Sequence, residues 1–380
     1  MFEPVEVYLD HAAATPKRAE VTTLHAQRCE RFYANPHGTG RHSTDCRHAA
    51  EKAADEILQL LRIPADEACL YWTSGGTEAA NLGIQGAFSS LPGAGVAVTA
   101  TAHACLIEPA KHAPGGWFDL PVGSDGQIDF GACDEEALSR AGMFAVCHIN
   151  NETGVEHDLV RLREFLDGVA PRALLLADAL QSAGKRPIPW AEARVDLVMV
   201  GGRKLGGPAG IGALIARREA VPAPLFYGGG QQDGVRPGTV DVVSALELAH
   251  ALRLAEMERE AVASRLSVLN RRLREGLMSC AQTARCRIVS PKKASPWIVC
   301  AVFEGYEGAI LTRLLGGRGI AVSAGSACSA DSNDVSHVLR AMGIEEAAAR
   351  GMVRVSFGHE TTESDIDRFV EAMKQVLEDY

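Results

Sequence analysis

Short, continuous apolar runs alternate with helix-like segments along the first two-thirds of the chain. The runs lie at 95–101, 143–149, 173–177, 195–200 and 210–216. Valine, isoleucine, leucine and alanine fill them without the polar alternation of a half-exposed strand, so they read as strands covered on both faces. Helical spacing between strands of this kind predicts a mainly parallel sheet flanked by helices. Residues 43–62 carry Ile57, Leu58, Leu60 and Leu61 on one side and predict a helix with Ser43 or Thr44 as its cap. From about Asp241 to Ser279 the pattern is helical throughout and predicts one or two long helices. They lead into a smaller region with strand-like 297–303, 320–322 and 352–356, a helix near 307–315 and a last helix over 363–378. Thr361-Thr362-Glu363-Ser364 has the form of a helix cap with acidic first-turn residues.

Composition narrows the class. The 380 residues suffice for one or two domains, and 47% apolar with 23% charged is ordinary for an α/β protein. A net charge of −10 argues against a general nucleic-acid or anionic-membrane surface. No apolar run reaches the roughly 18–20 residues of a membrane helix, and no basic, apolar leader opens the chain; the expectation is a cytoplasmic protein. Ten cysteines occur without a C-x-x-C pair, so the spacing expected of a metal or cluster site is missing, and most sit in apolar stretches as reduced core residues.

Candidate chemistry collects where strands end. In open α/β sheets ligands bind beyond the carboxyl ends of the strands. Strand 95–101 ends near His103, strand 143–149 in Asn150-Asn151-Glu152, strand 173–177 in Asp178 with Gln181 three residues on, and strand 195–200 in Gly201-Gly202-Arg203-Lys204. Four such endings predict one site assembled from separate loops. Thr73-Ser74-Gly75-Gly76-Thr77-Glu78 stands between a short apolar run and a helical stretch, a setting that suits one phosphate; a plain helix cap fits it equally well. It matches neither the P-loop nor G-x-G-x-x-G, which disfavours ATP and NAD. Lys204, one of eight lysines, has glycines on both sides and is a candidate to form a Schiff base, although a surface turn alone would explain it more simply. Asp178, after Ala-Leu-Leu-Leu-Ala, needs a cationic or hydrogen-bonding partner. A protonated pyridine nitrogen and a structural ion pair both qualify. Cys328 lies in a small, polar run, Ser323 to Asp334, where an exposed thiol is unusual unless its chemistry is used.

The ordered motifs YLDHAAATP (8–16), ANPHG (34–38), TSGGTEAANLGI (73–84), TAHACLIEP (101–109), HINNETGV (148–155), ADALQSAGK (177–185), GGRKLGGPAGIGAL (201–214), GGGQQDGVRPGT (228–239), SAGSACSAD (323–331) and VRVSFG (353–358) resemble those of the cysteine desulfurases. That family comprises fold-type I pyridoxal 5′-phosphate (PLP) enzymes of the class-V aminotransferase group. The resemblance spans Tyr8 to about Ile366, and the Gly-Ser-Ala-Cys context is similar to the IscS/NifS-like branch. It implies a mainly parallel seven-stranded sheet flanked by helices in a large PLP-binding domain (16–255), with a smaller α+β C-terminal domain (256–380) joined by the N-terminal segment 1–15.

It further implies that Lys204 forms the Schiff base, His103 stacks on the pyridine ring and assists proton transfer, and Asp178 pairs with the ring nitrogen. Gln181 and Asn151 would lie near the ring oxygen and the substrate. Gly76 and Thr77 would bind the phosphate, Thr239 would reach the phosphate of a partner subunit in a homodimer, and Arg354 would clamp the substrate carboxylate. Cys328 would take sulfur from L-cysteine as a persulfide and pass it to an acceptor protein. Iron–sulfur cluster assembly and tRNA or DNA thiolation all start from such a persulfide. Two positions depart from the family: Gly201 and Arg203 stand where serine and histidine usually help hold the phosphate. A charged contact from Arg203 would replace what Gly201 lacks. Selenocysteine lyase, another β-eliminating lyase and a catalytically weakened sulfur-relay partner share the same scaffold.

Overall fold

The computed structural model describes residues 6–91, 93–280, 285–325 and 335–380. In chain order the strands are β1 (Val7–Tyr8), β2 (Ala68–Thr73), β3 (Gly95–Thr99), β4 (Trp117–Leu120), β5 (Ala141–Cys147), β6 (Leu174–Asp178), β7 (Leu197–Gly201), β8 (Gly212–Arg217), β9 (Arg285–Ile288), β10 (Ile298–Glu304), β11 (Ile320–Ala321) and β12 (Met352–Ser356). Seven of them form one sheet in the order β2-β8-β7-β6-β5-β3-β4. Its pairs are parallel except those of β8, which runs antiparallel to both β2 and β7. The apolar run at 210–216 therefore belongs to the sheet but points the other way from its neighbours.

The central strands are hydrophobic on both faces because helices cover both. Every residue of β3 and β7 is buried. One core gathers Leu159, Leu162 and Leu166 with Leu248 and Leu252 of the long helix. The other lies on the face where Ala79, Leu82 and Leu106 pack against Met143, Leu176, Leu197 and Leu214. At roughly 1.5–3 kcal/mol for each large apolar side chain buried, these two layers supply most of the sheet's stability.

The segment from 242 onward folds as one 39-residue helix, Val242–Cys280, not two. Its first half packs on the large sheet and its second half, with Leu266, Leu269, Leu273 and Leu277, enters a separate core. That core holds the antiparallel sheet β12-β10-β9 and the last helix, Glu363–Asp379. Val7 and Leu9 join the same core, since β1 pairs in parallel with β11. The last helix begins as its sequence predicts: Thr362 accepts from the Asp365 N–H and Asp365 returns the bond, a reciprocal cap. The helix expected over 43–62 spans Arg41–Leu60 with Gly40 as its cap residue, so Ser43 and Thr44 sit inside its first turn and cap nothing. Among the described residues no helix is long and apolar enough to cross a membrane.

A cofactor pocket at the carboxyl ends of the strands

Strands β3, β5, β6 and β7 run parallel side by side, so their carboxyl ends share one edge of the sheet. β2 points the same way, because the single antiparallel strand β8 stands between it and β7. Thr73 at the end of β2 and Gly201 at the end of β7 both pair with Gly212. A Cβ on Gly212 would fall 2.8 Å from the Gly75 Cα and the Val200 oxygen, which is why this crossing needs glycine. The result is a cavity of about 400 Å³ lined by Gly76, Thr77, His103, Asn151, Asp178, Gln181, Arg203, Lys204 and Arg354, among others. Nine residues singled out in the sequence thus line one cavity. Thr239 is exposed and is not among its lining residues. Cys328 lies outside the described residues.

Lys204 closes a short 3₁₀ turn, Gly202–Lys204, directly after β7. Its Nζ donates to the Ala12 and Ala13 carbonyl oxygens at 2.8 and 2.5 Å. Those carbonyls are set by a turn in which the Ala13 and Ala14 N–H groups donate to the Asp10 oxygen. Burial above all, then the charges of Arg354 and Arg203, lowers the Lys204 pKa from 10.5 to about 8. An amine that loses its proton this readily is a nucleophile near neutral pH.

Asp178 ends β6, and one of its carboxylate oxygens accepts from the Leu180 N–H at 2.9 Å. Burial raises its pKa from 3.8 to about 6, against the lowering effect of that bond and of Lys204. A carboxylate raised in this way gains from a cation placed against it, and a pyridinium nitrogen is one. His103 caps the helix Ala104–Ala110, its Nδ1 accepting the Cys105 N–H at 3.1 Å. Burial and the Lys204 charge lower its pKa to about 4, so the ring is neutral near pH 7 and carries its proton on Nε2.

Arg354 is 1% exposed. Its guanidinium donates to Asp10 Oδ1 at 2.5 Å and to the Asn151 carbonyl at 3.0 Å. The carboxylate and carbonyl aim a planar fork that suits a second carboxylate. Asp10 and the two alanine carbonyls were not singled out from the sequence. A backbone carbonyl has no sequence signal.

The helix Gly76–Ala87 starts at the cavity, with Gly76 and Thr77 in its lining. Glu78 in its first turn accepts from the Ser74 N–H and from Arg236, which fixes the turn. Gly75 has φ 149°, a conformation that glycine tolerates. Leu180 explains the departure at 201. A Cβ at Gly201 would meet Leu180 Cδ2 at 2.7 Å, and one at Gly76 would meet Leu180 Cδ1 at 2.3 Å. The leucine's methyl groups occupy the room a Cβ would take at either glycine, and the exposed Arg203 lines the same cavity with a positive charge.

The chain matches the aminotransferase class-V family over residues 7–369. A cysteine desulfurase of Cereibacter sphaeroides is 33% identical over 380 residues, covering 98% of this chain and 96% of that protein. The chain belongs to the cysteine desulfurases of the class-V aminotransferase family. A solved NifS-like protein superposes with a TM-score of 0.89 at 26% identity, covering 98% of this chain and all of the other. A structure of SspA in complex with cysteine gives 0.77 at 26% identity, over 94% of this chain and all of that one. PLP is the family's cofactor, and the donor set fits it. A low-pKa amine suits the aldehyde, a buried carboxylate the ring nitrogen, and a helix start beside the exposed Arg203 the phosphate.

The lowered pKa has a measurable consequence. An amine captures an aldehyde only when unprotonated, so the rate at which apoprotein takes up PLP should climb with pH through about 8 and level off above it. Absorbance growth at fixed PLP concentration reads this rate. A rate still rising at the ordinary lysine value of 10.5 would contradict the assigned environment.

Proposed function

We propose that the protein is a PLP-dependent cysteine desulfurase that converts L-cysteine to L-alanine, moving the sulfur to Cys328 as a persulfide and then to an acceptor protein. The convergence of Lys204, Asp178, His103 and Arg354 on one cavity carries the proposal. In balance, L-cysteine and the Cys328 thiol give L-alanine and Cys328–S–SH. The substrate C–S bond breaks and an S–S bond forms; the proton given up by the Cys328 thiol is balanced by the one that Cβ gains, and Cα recovers its own.

Arg354 binds the substrate carboxylate and fixes the amino acid's orientation. Asp178 keeps the ring nitrogen protonated. Gly76, Thr77 and Arg203 would hold the phosphate, and Gln181 and Asn151 would serve the ring oxygen and the substrate. Bound PLP supplies the electron sink that makes the Cα proton acidic. Lys204 Nζ takes that proton and later returns one, in the range where an amine of pKa about 8 does both. His103, neutral and held by its Nδ1, offers its Nε2–H to the substrate sulfur as a donor.

The described residues on either side of Cys328 are pinned beside the pocket. The Ser323 backbone pairs with that of Arg354, at 2.7 and 3.2 Å. Ser336 Oγ donates to Glu152 at 2.5 Å and the His337 ring bonds the Ala102 oxygen at 2.8 Å, one residue before His103. Cys328 is three residues from Gly325, a reach of about 10 Å for extended chain. These anchors support a thiol that meets the substrate.

A homodimer completes the reading. Leu225, Phe226 and Tyr227 form an exposed apolar run, Tyr227 at 94% exposure, just before the 228–239 segment that ends in Thr239. A second copy would cover that run and bring Thr239 to the partner's phosphate. With a protein acceptor of the persulfide, the proposed setting is the cytoplasm.

Product analysis with L-cysteine and L-selenocysteine, each with parent protein and Cys328→Ser, tests the proposal. Alanine formation from cysteine should fall by about 100-fold or more in the variant, since the sulfur acceptor of the step is gone. Undiminished sulfide release by Cys328→Ser, or turnover confined to selenocysteine, would favour a lyase.

A further inference from the structure

A second lysine lies buried behind the pocket. Lys185 is 8% exposed, with its Nζ 3.3 Å from Gln181 Oε1 and 5.1 Å from the centre of the Trp297 ring. Burial, then the charge of Lys204, lowers its pKa from 10.5 to about 7. Such a residue costs stability unless its position serves something else. Gln181 occupies the other end of the contact, and its Nε2 donates to the Ala12 carbonyl at 2.8 Å. The same carbonyl accepts from Lys204 Nζ at 2.8 Å. Lys185, Gln181, the Ala12 carbonyl and Lys204 therefore form one continuous hydrogen-bonded chain.

A side-chain amide has an acceptor end and a donor end, and which end faces a ligand decides what it can do. The Lys185 amine donates to the oxygen end. The Ala12 carbonyl only accepts, so it holds the nitrogen end. Two fixed partners stop the amide from rotating and leave its second N–H for the cavity that Gln181 lines. With one partner lost, the group turns about the remaining bond.

We infer that Lys185 is a positioning residue: it fixes the Gln181 amide so that the nitrogen end serves the cofactor and the carbonyl shared with Lys204. The inference rests on the proposed contact between Gln181 and the cofactor ring. Lys185 is not among the residues lining the cavity and acts through Gln181.

The test uses PLP-loaded parent protein, Gln181→Ala, Lys185→Met, the double variant and Lys185→Arg. The absorption spectrum of the bound cofactor and its rate of loss on dilution are read on each, with melting temperature as a folding control. Gln181→Ala should shift the absorption maximum and speed cofactor loss by ~3–10-fold, the effect of one hydrogen bond. Lys185→Met should shift both in the same direction, and the double variant should go no further than Gln181→Ala. Lys185→Arg keeps a donor, and a cavity of about 30 Å³ beside Lys185 takes its added atoms, so it should restore the parent spectrum. If Lys185→Met does not fold, Lys185→Gln, polar but too short to reach Gln181, should show the same shift. A parent-like spectrum in Lys185→Met or Lys185→Gln alongside a shifted Gln181→Ala would overturn the role of Lys185 alone, as would additive effects in the double variant. An unshifted Gln181→Ala would remove the cofactor contact and the inference with it.

Discussion

Lys204→Ala is expected to lower alanine formation from L-cysteine by ~10⁴-fold or more, because one side chain both holds the cofactor and moves the Cα proton. The structure gives this amine two distinguishing features: carbonyls that aim it and a pKa brought down to about 8. Neither is shared by a surface turn lysine, the simpler reading of the GGRKLGG segment on its own. The variant should bind PLP only reversibly, so borohydride would fix no cofactor to it. A small primary amine in solution should restore part of the proton transfer. Melting temperature separates this loss from unfolding, since the Ala12 carbonyl keeps its bond from Gln181. Steady-state alanine assays with and without added amine check the prediction.

Arg354→Leu is expected to reduce kcat/KM for L-cysteine by ~10²–10³-fold, mainly through KM. Losing a bidentate, charge-assisted pair costs about 3–4 kcal/mol. The substitution also leaves Asp10 without the guanidinium that faces it at 2.5 Å, so the melting temperature should fall as well. Arg354→Lys keeps the charge but not the fork, and should recover only part of the loss. A kcat/KM within threefold of the parent for Arg354→Leu would mean that the substrate carboxylate binds elsewhere. Comparing KM for cysteine with the affinity for PLP keeps the substrate effect apart from any cofactor effect.

Much of this site was legible because the sheet is parallel. A strand buried on both faces has to be continuously apolar, so the first polar residue after it marks the carboxyl end, where the cavity forms. Asp178 after LLLA and Lys204 after VMVGGR were readable in that way. The antiparallel direction of β8 was not, since an apolar run looks the same in both directions. β4 was missed: Trp117–Leu120 is a four-residue edge strand with two exposed positions, too short for a pattern. The cap of the helix Arg41–Leu60 was misplaced because Ser43 and Thr44 are good caps wherever the chain enters a helix, and the chain enters three residues before Thr44. The groups that act on the site from far away in sequence were hidden. Asp10 meets Arg354 across 344 positions, and Lys185 is hydrogen-bonded to Lys204 through Gln181 and the Ala12 carbonyl, 169 positions from Gln181. Leu180 looks like any core leucine until Gly76 and Gly201 are seen on either side of it.

The central claim is that the sulfur of L-cysteine leaves onto the Cys328 thiol. Holoenzyme mixed with one equivalent of L-cysteine, without reductant, and quenched for peptide mass analysis tests it most directly. The account predicts one added sulfur on the peptide that carries Cys328, matched mole for mole by L-alanine. Free sulfide released with Cys328 unmodified would contradict it.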